Sequence, residues 1–307
     1  MTGHSMLHEP KRYVDIPFPE RARISWPNAA RIAVWVVPNI EFYELDPPTG
    51  PVRPPWGRPV PDTLAYSLRD YGNRVGVWRV FETLDRHDIR ASVSLNAAVC
   101  DHLPDVVNAC LDRDWELFAH GIYNTRWIYG MDERQVRALI RDSVDTIHTF
   151  SGVPVRGWLS PAVSSTEDFL DLLPEFGIDY AIDMVHDDQP TPICVREGRL
   201  ISLPYSSEIN DIRVMGMRGY TPASWAQMLK DAFDRLYLEG EESGTVFCIP
   251  LHPYIVGQPH RIAALDDVLT HIKKREHVWF ATGSEIADHY YRTSYPAALA
   301  PCGDLSQ

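Results

Sequence analysis

The amino-acid sequence predicts a single α/β domain in which strands and helices alternate to form a barrel-like sheet. Apolar, β-branched stretches of strand length recur along the chain, and segments with helical spacing of apolar residues separate them. No change in composition marks a linker between two domains. An open doubly wound sheet is the alternative, but no GxGxxG or Walker sequence follows any strand, so no nucleotide cofactor is indicated.

Each predicted element follows from its local pattern. Segment 31–37 is continuously apolar, which is typical of a parallel strand covered on both faces. Asp132 and Gln135 have the spacing of a capping box, and Gly152 ends the helix that they begin. Strands are predicted at 31–37, 91–96, 115–119, 155–159, 180–184, 200–203, 245–249 and 278–281. Helices are predicted around 77–84, at 105–111, 132–152, 167–176, 222–239 and 262–274, and after residue 283.

Composition excludes several classes of protein and partner. The chain of 307 residues has a formal net charge of −13, which argues against nucleic acid and anionic membrane surfaces as partners. Its five cysteines are scattered without a CxxC pair, as is typical of a reducing compartment. The N-terminus has no apolar signal region, and no stretch of about 18 apolar residues occurs. These features predict a cytoplasmic protein that does not cross a membrane.

Three regions of the chain are predicted. Residues 1–30 are polar and proline-rich and form an extended arm, residues 31–291 form the barrel, and residues 292–307 form a tail. The proline-rich loop 46–61 is predicted to close over the mouth of the barrel. Because the arm carries apolar residues without a local partner, we predict a homo-oligomer in which the arm or nearby loops pack on a neighbour.

Polar side chains gather where the predicted strands end. His120 follows the strand 115–119, directly before Gly121, and Glu41 and His252 follow the first and a late strand. In sheets built of strand–helix units the carboxyl ends of the strands meet at one mouth, where catalytic residues collect. A carboxylate with imidazoles suits hydrolysis of an amide-like bond. Alternatives remain: Glu41 could pair with an arginine at the rim, and His252 could be a buried histidine bonded to backbone.

The order of these motifs resembles a known superfamily. A strand ending in an acid, a strand ending in His120-Gly121, a Gly-Trp-Leu-Ser-Pro segment at 157–161 and a late Leu-His-Pro at 251–253 are similar to the polysaccharide deacetylase, or NodB-homology, superfamily. Within it the chain looks most like the allantoinase-like and cyclic-imidase-like branch. The resemblance implies a distorted (β/α)7 barrel of a single domain that hydrolyses a carbon–nitrogen bond other than a peptide bond.

The resemblance also implies roles for particular residues. Where the superfamily has two adjacent aspartates, this chain has Asn39-Ile-Glu41, and where it has two histidines four apart, this chain has His120 and Asn124. The third motif lacks its arginine, and the late histidine is intact at His252, where it corresponds to the general acid. We therefore predict Glu41, His120 and His252 as catalytic residues. Glu41, His120 and Asn124 are the candidate ligands of a divalent metal such as zinc, or Glu41 and His120 hold the hydrolytic water directly.

A small polar molecule is the predicted substrate. Trp127 and Tyr254 flank the reactive loops, and Arg218 and Arg261 are candidates for binding a carboxylate or a carbonyl group. The full predicted substrate-binding set is Asn39, Asn124, Trp127, Ser160, Glu208, Asn210, Arg218, Tyr254 and Arg261. Two other functions stay open at this point: a non-catalytic barrel that binds a small molecule or carbohydrate, and a metal-dependent lyase or isomerase on the same scaffold.

Overall fold

The strands of the computed structural model form one curled, mostly parallel sheet. The structure describes residues 12–13, 16–47, 61–166 and 168–299. The strands are β1 (Ile32–Ile40), β2 (Ser92–Leu95), β3 (Glu116–Ala119), β4 (Gly157–Trp158), β5 (Tyr180–Ala181), β6 (Thr191–Ile193), β7 (Leu200–Ser202), β8 (Thr245–Leu251) and β9 (Val278–Phe280). Their order across the sheet is β6-β7-β5-β4-β3-β2-β1-β8, and β9 pairs with β1. The predicted distorted α/β barrel is thereby confirmed, although within the described residues no ladder joins β7 to β8.

Strand β6 is an addition to the predicted set. It pairs antiparallel with β7 at the edge of the sheet, whereas the other ladders are parallel. Its middle residue is Pro192, which has no N–H to donate to a ladder and is therefore tolerated only at an edge. The strand was not predicted, because a proline within a short segment argues against a strand.

The helices largely follow the predicted pattern. They are α1 (Thr63–Tyr71), α2 (Val77–Arg86), α3 (Ala98–His102), α4 (Pro104–Leu111), α5 (Glu133–Ser151), α6 (Pro222–Glu239), α7 (Ile262–Lys273), α8 (Gly283–Thr293) and α9 (Tyr295–Leu299). The predicted capping box of α5 is present, and Gly152 ends this helix in the left-handed conformation. The predicted helix 167–176 is wrong: the described part forms two short 3₁₀ turns, Asp168–Asp171 and Leu173–Phe176, and Pro174 lacks the N–H that a continuous helix requires.

Strand β1 divides the core into two layers. Its residues Ile32, Val34 and Val36 pack in the cluster formed with the outer helices. The alternate residues Ala33, Trp35 and Val37 pack in a second cluster inside the curled sheet. Because successive side chains of a strand point to opposite faces, one fully buried strand serves both layers. The packed interior leaves the carboxyl ends of the strands as the place for a cavity.

The described part of the N-terminal arm packs on its own barrel. Ile24 and Trp26 belong to the interior cluster, together with residues of α8. The Trp26 indole N–H donates to the carbonyl oxygen of Thr245 at 3.0 Å, and Arg21 pairs with Asp187 at 2.6 Å. Ile24 and Trp26 thus have partners within the chain, whereas Tyr13 and Phe18 of the arm are 40% and 42% exposed. The loop predicted at 46–61 lies, except for its ends, outside the described residues.

No helix in the described part of the chain is long and apolar enough to span a bilayer.

Candidate active site

A cavity of about 460 Å³ opens where the strands end at their carboxyl side. It is lined mainly by residues that follow β1, β3, β4, β7 and β8. Those that matter for its chemistry are Asn39, Glu41, Tyr43, Arg69, His120, Asn124, Trp127, Ser160, Tyr205, Asn210, Arg213, His252 and Tyr254. The mouth of the barrel is therefore the candidate site, as the strand-end residues predicted.

Glu41 lies at the centre of the polar network. Its side chain is buried, and its Oε2 accepts hydrogen bonds from the hydroxyl groups of Tyr43 at 2.6 Å and Tyr254 at 3.3 Å. The other oxygen, Oε1, lies 3.5 Å from Nε2 of His120 and 3.5 Å from Nε2 of His252. One carboxylate oxygen is thus held by two tyrosines while the other faces two imidazoles.

The second nitrogen of each imidazole determines its orientation. His120 Nδ1 lies 2.8 Å from the carbonyl oxygen of Leu159, which can only accept, so Nδ1 carries a proton. His252 Nδ1 lies 2.7 Å from Asp211 Oδ1, and the backbone N–H of His252 donates to Asp211 Oδ2 at 2.7 Å. Both rings therefore present Nε2 to Glu41, and Asp211 holds the His252 loop as well as its ring.

Charges in this network shift the pKa values in opposite directions. Burial by itself lowers the pKa of His252, but the negative charges of Asp211 and Glu41 outweigh it and raise this pKa to about 10. Burial by itself raises the pKa of Glu41, but the positive charge of His252, the largest of the opposing effects, holds this pKa well below its usual value. At neutral pH the site thus contains an imidazolium between two carboxylates.

Loops around the cavity are tied together by buried polar side chains. The Asn96 carbonyl oxygen accepts from the backbone N–H of Phe42 at 2.8 Å, and its amide group donates to the carbonyl of His120. The backbone N–H of Ser160 donates to both oxygens of Asp183 at 3.1 Å. Burial raises the pKa of Asp183 to about 6, despite the hydrogen bonds from Ser160. These side chains hold the wall of the site rather than face its centre.

Two asparagines leave an oxygen without a protein partner. Asn39 and Asn124 are more than nine-tenths buried and line the cavity. Asn39 donates its amide N–H groups to the carbonyl of Leu251 and to the Tyr205 hydroxyl, each at 3.1 Å. Asn124 donates to the Tyr43 hydroxyl at 2.5 Å. Neither Oδ1 atom has a hydrogen-bond partner among the described residues, so two acceptors remain for a ligand.

Most of the predicted site residues meet at the cavity. Twelve different residues were predicted for catalysis, metal binding or substrate binding, and nine of them line the cavity. The three that do not line it are Glu208, Arg218 and Arg261. Arg218 pairs with Glu208 at 3.1 Å on the outside, where the two side chains are 44% and 75% exposed. Arg261 donates to the carbonyl oxygen of Ile255 at 3.3 Å and does not line the cavity. The arginines that line it are Arg69 and Arg213.

Sequence patterns missed several residues of the site. Asp211 is recognisable as a carboxylate in the loop after β7, but nothing in the sequence relates it to His252. Tyr43 and Tyr205 could not be distinguished in the sequence from the many other aromatic residues of the chain. Arg69 and Arg213 lie on helical segments far from any motif, and only the folded chain brings them to the mouth.

The predicted metal ligands do not fit a tightly held divalent ion. Within the described residues, no group of three or more His, Cys, Asp or Glu side chains is arranged to hold a metal. Of the predicted trio, Asn124 supplies only a neutral amide oxygen, a weak ligand for zinc.

Comparisons with known proteins agree with the fold. Residues 57–181 match the family model described as polysaccharide deacetylase. The structure is similar to that of PuuE allantoinase, with a TM-score of 0.81 and 27% identity over 92% of this chain and 99% of that chain. It is equally similar to a probable polysaccharide deacetylase from Pseudomonas aeruginosa PAO1, with a TM-score of 0.81 and 27% identity over 90% and 96% of the two chains. The peptidoglycan deacetylase of Helicobacter pylori is 24% identical over 269 residues, 77% of this chain and 90% of that protein.

The fold and the similar proteins together indicate a deacetylase-like hydrolase that acts on carbon–nitrogen bonds other than peptide bonds. The match over residues 57–181 is to a polysaccharide deacetylase model, and the similar proteins include both deacetylases and an allantoinase. The resemblance that the sequence motifs indicated is thereby confirmed.

Proposed function

We propose that the protein hydrolyses a carbon–nitrogen bond in a small polar amide, imide or ureide, without a tightly bound metal ion. The observation that carries this proposal is the placement of Glu41 Oε1 at 3.5 Å from Nε2 of both His120 and His252. A base and an acid on either side of one carboxylate are what hydrolysis of an amide-like bond requires, since one proton must leave water and another must reach the departing nitrogen.

The roles follow from the protonation of the two rings. His120 is protonated at Nδ1, so its Nε2 has the lone pair that accepts a proton from water. Glu41 holds this water by a hydrogen bond and stabilises the imidazolium that forms on His120. Attack of the water oxygen on the carbonyl carbon forms a C–O bond and moves the carbonyl π electrons to oxygen. When the C–N bond breaks, its electron pair goes to nitrogen, which takes the Nε2 proton of His252.

The cavity favours a small substrate that carries N–H groups. Its volume of about 460 Å³ is in the range of sites for small molecules. The unpartnered Oδ1 atoms of Asn39 and Asn124 can accept N–H donors, which an amide, imide or ureide presents and an ester does not. Arg69 and Arg213 also line the cavity and can bind a carbonyl or carboxylate group of the same molecule. The proposed partner is therefore a small molecule of the cytoplasm.

Hydrolysis of a panel of small cyclic amides tests the proposal. The panel consists of allantoin, hydantoin, dihydrouracil and succinimide, with acetylated chitin oligomers as the polysaccharide alternative, and ring opening or acetate release is followed. We expect turnover of at least one cyclic amide and little release of acetate. Rapid deacetylation of the oligomers with no turnover of the cyclic amides would contradict the small-molecule proposal. Binding of a cyclic amide without turnover would instead favour a non-catalytic barrel.

A further inference from the structure

The hydroxyl group of Tyr205 has an unusual set of hydrogen bonds. Tyr205 is buried, lines the cavity and follows β7. Its oxygen lies 3.1 Å from Nδ2 of Asn39 and 3.2 Å from Nδ2 of Asn210. The residue before it is anchored as well, because the Trp35 indole N–H donates to the carbonyl oxygen of Pro204 at 3.1 Å. The phenol ring is thus held in a fixed place at the mouth of the barrel.

The neighbours of the two asparagines establish which atom of each amide faces Tyr205. Asn39 Nδ2 also lies 3.1 Å from the carbonyl oxygen of Leu251, which can only accept, so this atom must be the amino group. Asn210 Oδ1 accepts from the backbone N–H of Ile212 at 3.1 Å, so its amino group faces Tyr205. Both amides therefore donate to the phenolic oxygen.

The consequence is that the Tyr205 O–H is left as a donor. The oxygen already accepts two hydrogen bonds, and among the described residues no acceptor for its proton is present. Burial raises the pKa of Tyr205 above its ordinary value, so the proton stays on the oxygen at neutral pH. Two N–H donors on a phenolic oxygen polarise its O–H bond and make it a stronger donor, since hydrogen bonds in a chain strengthen one another.

We propose that the Tyr205 hydroxyl donates a hydrogen bond to the carbonyl oxygen of the substrate and stabilises the negative charge that forms there in the tetrahedral intermediate. This inference rests on the proposed function. When water adds to the carbonyl carbon, the π electron pair moves to the oxygen that faces Tyr205. When the C–N bond breaks, the same pair returns to restore the C=O bond, and the phenol keeps its proton throughout. Asn210 is a positioning residue, because it acts on the substrate oxygen through Tyr205, and Asn39 supplies the second amide donor to the same hydroxyl group.

The Tyr205 hydroxyl supplies a role that the other proposed catalytic residues leave open. Glu41 and His120 hold the water, and His252 protonates the nitrogen, but none of the three is free to stabilise charge on the carbonyl oxygen. Preorganised donors aimed at such an oxygen commonly supply a large part of the rate of acyl transfer. Tyr205 is a donor that carries no charge and that the folded chain positions before a substrate arrives, so no reorganisation is needed during the reaction.

The variant Tyr205→Phe tests the inference, because it keeps the ring and removes the O–H group. The probes are the best cyclic amide of the panel and its analogue with sulfur in place of the scissile carbonyl oxygen, since sulfur is a poor acceptor. We expect kcat on the oxygen substrate to fall by ~10²- to 10³-fold with little change in KM. The ratio of kcat/KM between the oxygen and sulfur substrates should fall with it, and Asn210→Ala should lower this ratio by less.

Tyr237→Phe is the matched control, because its hydroxyl group donates to the carbonyl oxygen of Glu276 on the exposed surface at 3.0 Å. It should keep both kcat and the ratio. If the wild-type protein is active and Tyr205→Phe keeps its kcat, the inference is overturned while the proposed function stands. A loss of rate in Tyr205→Phe with an unchanged oxygen-to-sulfur ratio would overturn it too, since that result indicates a structural role. If the wild-type protein opens none of the cyclic amides, the proposed function fails and the inference fails with it.

Discussion

At the scale of single residues, the site is organised by how one buried carboxylate shares its two oxygens. Tyr43 and Tyr254 hold one oxygen of Glu41, and two imidazoles face the other. A buried carboxylate without partners would take up a proton, because burial raises its pKa. The positive charge of His252 prevents this and keeps the pKa of Glu41 low. Removing His252 therefore changes the charge of Glu41 as well as the chemistry, whereas removing His120 takes away the proposed base.

Replacing either imidazole should abolish most of the activity. Loss of a positioned general acid or base typically costs ~10²- to 10⁴-fold in turnover, so His252→Ala and His120→Ala should each fall within that range. His271→Ala is the matched control, since His271 pairs with Asp234 at 3.0 Å outside the cavity. The rates are compared only after thermal unfolding shows that each variant is folded. Folded His120 and His252 variants that work at wild-type rates would show that the site has been assigned to the wrong loops.

The pKa of His252 predicts how activity depends on pH. The folded-state pKa is about 10, above the ordinary value of 6.5, so the protonated form persists through neutral pH. The stabilisation from this proton is fully present below about 6.5 and is lost as the pH rises through about 10. We expect kcat/KM to decline only as the pH rises through about 10, because the acid must be protonated. Asp211→Asn should move this decline to lower pH, and an unmoved decline would contradict the role of Asp211.

The donor set of the cavity predicts that chelators have little effect. We expect kcat to be retained after dialysis against EDTA, and elemental analysis of the active protein to find far less than one divalent ion per chain. The physical reason is the donor set: among the described residues no group of three or more His, Cys, Asp or Glu side chains is arranged to hold a metal, and Asn124 would add only a weak amide oxygen to Glu41 and His120. Loss of activity on dialysis that is restored by one equivalent of zinc would contradict this prediction.

At the scale of elements, two π-helical segments position the rim of the cavity. One, Gly72–Gly76, joins α1 to α2, and Asn73 in it donates to the backbone carbonyl of Glu41 at 2.7 Å. The other, Ile212–Met217, follows Asp211 and contributes Arg213 to the lining. π-helical turns often occur at functional sites, because the extra residue shifts the side chains that follow. Neither segment was predicted from the spacing of apolar residues.

The contact between the first π segment and the His252 loop predicts a sensitive glycine. A Cβ atom at Gly76 would lie 2.1 Å from the carbonyl oxygen of Pro253, so Gly76→Ala must displace the loop that carries His252. We expect a lower melting temperature and a lower kcat, measured by thermal unfolding and by turnover of a cyclic amide. Gly216→Ala is the control, since its Cβ would approach only side-chain atoms, the nearest at 3.3 Å. Equal behaviour of the two variants would show that the loop adapts without cost.

At the scale of the whole molecule, the chain presents an apolar stripe along α1, the π segment Gly72–Gly76 and α2. Leu64, Leu68, Val75 and Trp78 recur at helical spacing and are 53%, 54%, 38% and 42% exposed. No residue of α1 is buried. We propose that a homo-oligomer forms through this stripe, because it is a larger exposed apolar surface than Tyr13 and Phe18 of the arm provide.

Sedimentation at micromolar concentration tests the assembly. We expect the wild-type protein to sediment as an oligomer and Leu68→Glu to shift it toward the monomer, because a charge in an apolar contact is costly. Leu238→Glu is the control, since Leu238 is 62% exposed at the end of α6, away from the stripe in sequence. A wild-type monomer would contradict the proposal, and an oligomer unaffected by Leu68→Glu would place the contact elsewhere.

Sequence patterns alone predict the alternation of strands and helices, the capped ends of α5, and Glu41, His120 and His252 as candidates for the chemistry. These features are local: apolar periodicity, capping residues and polar groups at strand ends act over a few neighbouring positions. For the same reason the sequence did not reveal β6, whose Pro192 breaks the local pattern and is tolerated only by its place at the sheet edge.

Which polar side chains contact one another follows from the tertiary structure and not from the sequence pattern. Asp211 is 41 residues from His252 in sequence, and Tyr205 is 166 residues from Asn39, yet each pair is joined by a hydrogen bond. Nothing in the sequence distinguishes Arg218 from Arg213 as a candidate for substrate binding, yet of these two only Arg213 lines the cavity. Partners, burial and therefore pKa values depend on the three-dimensional path of the loops, because electrostatic and hydrogen-bond energies are set by distances of a few ångströms and not by separation along the chain.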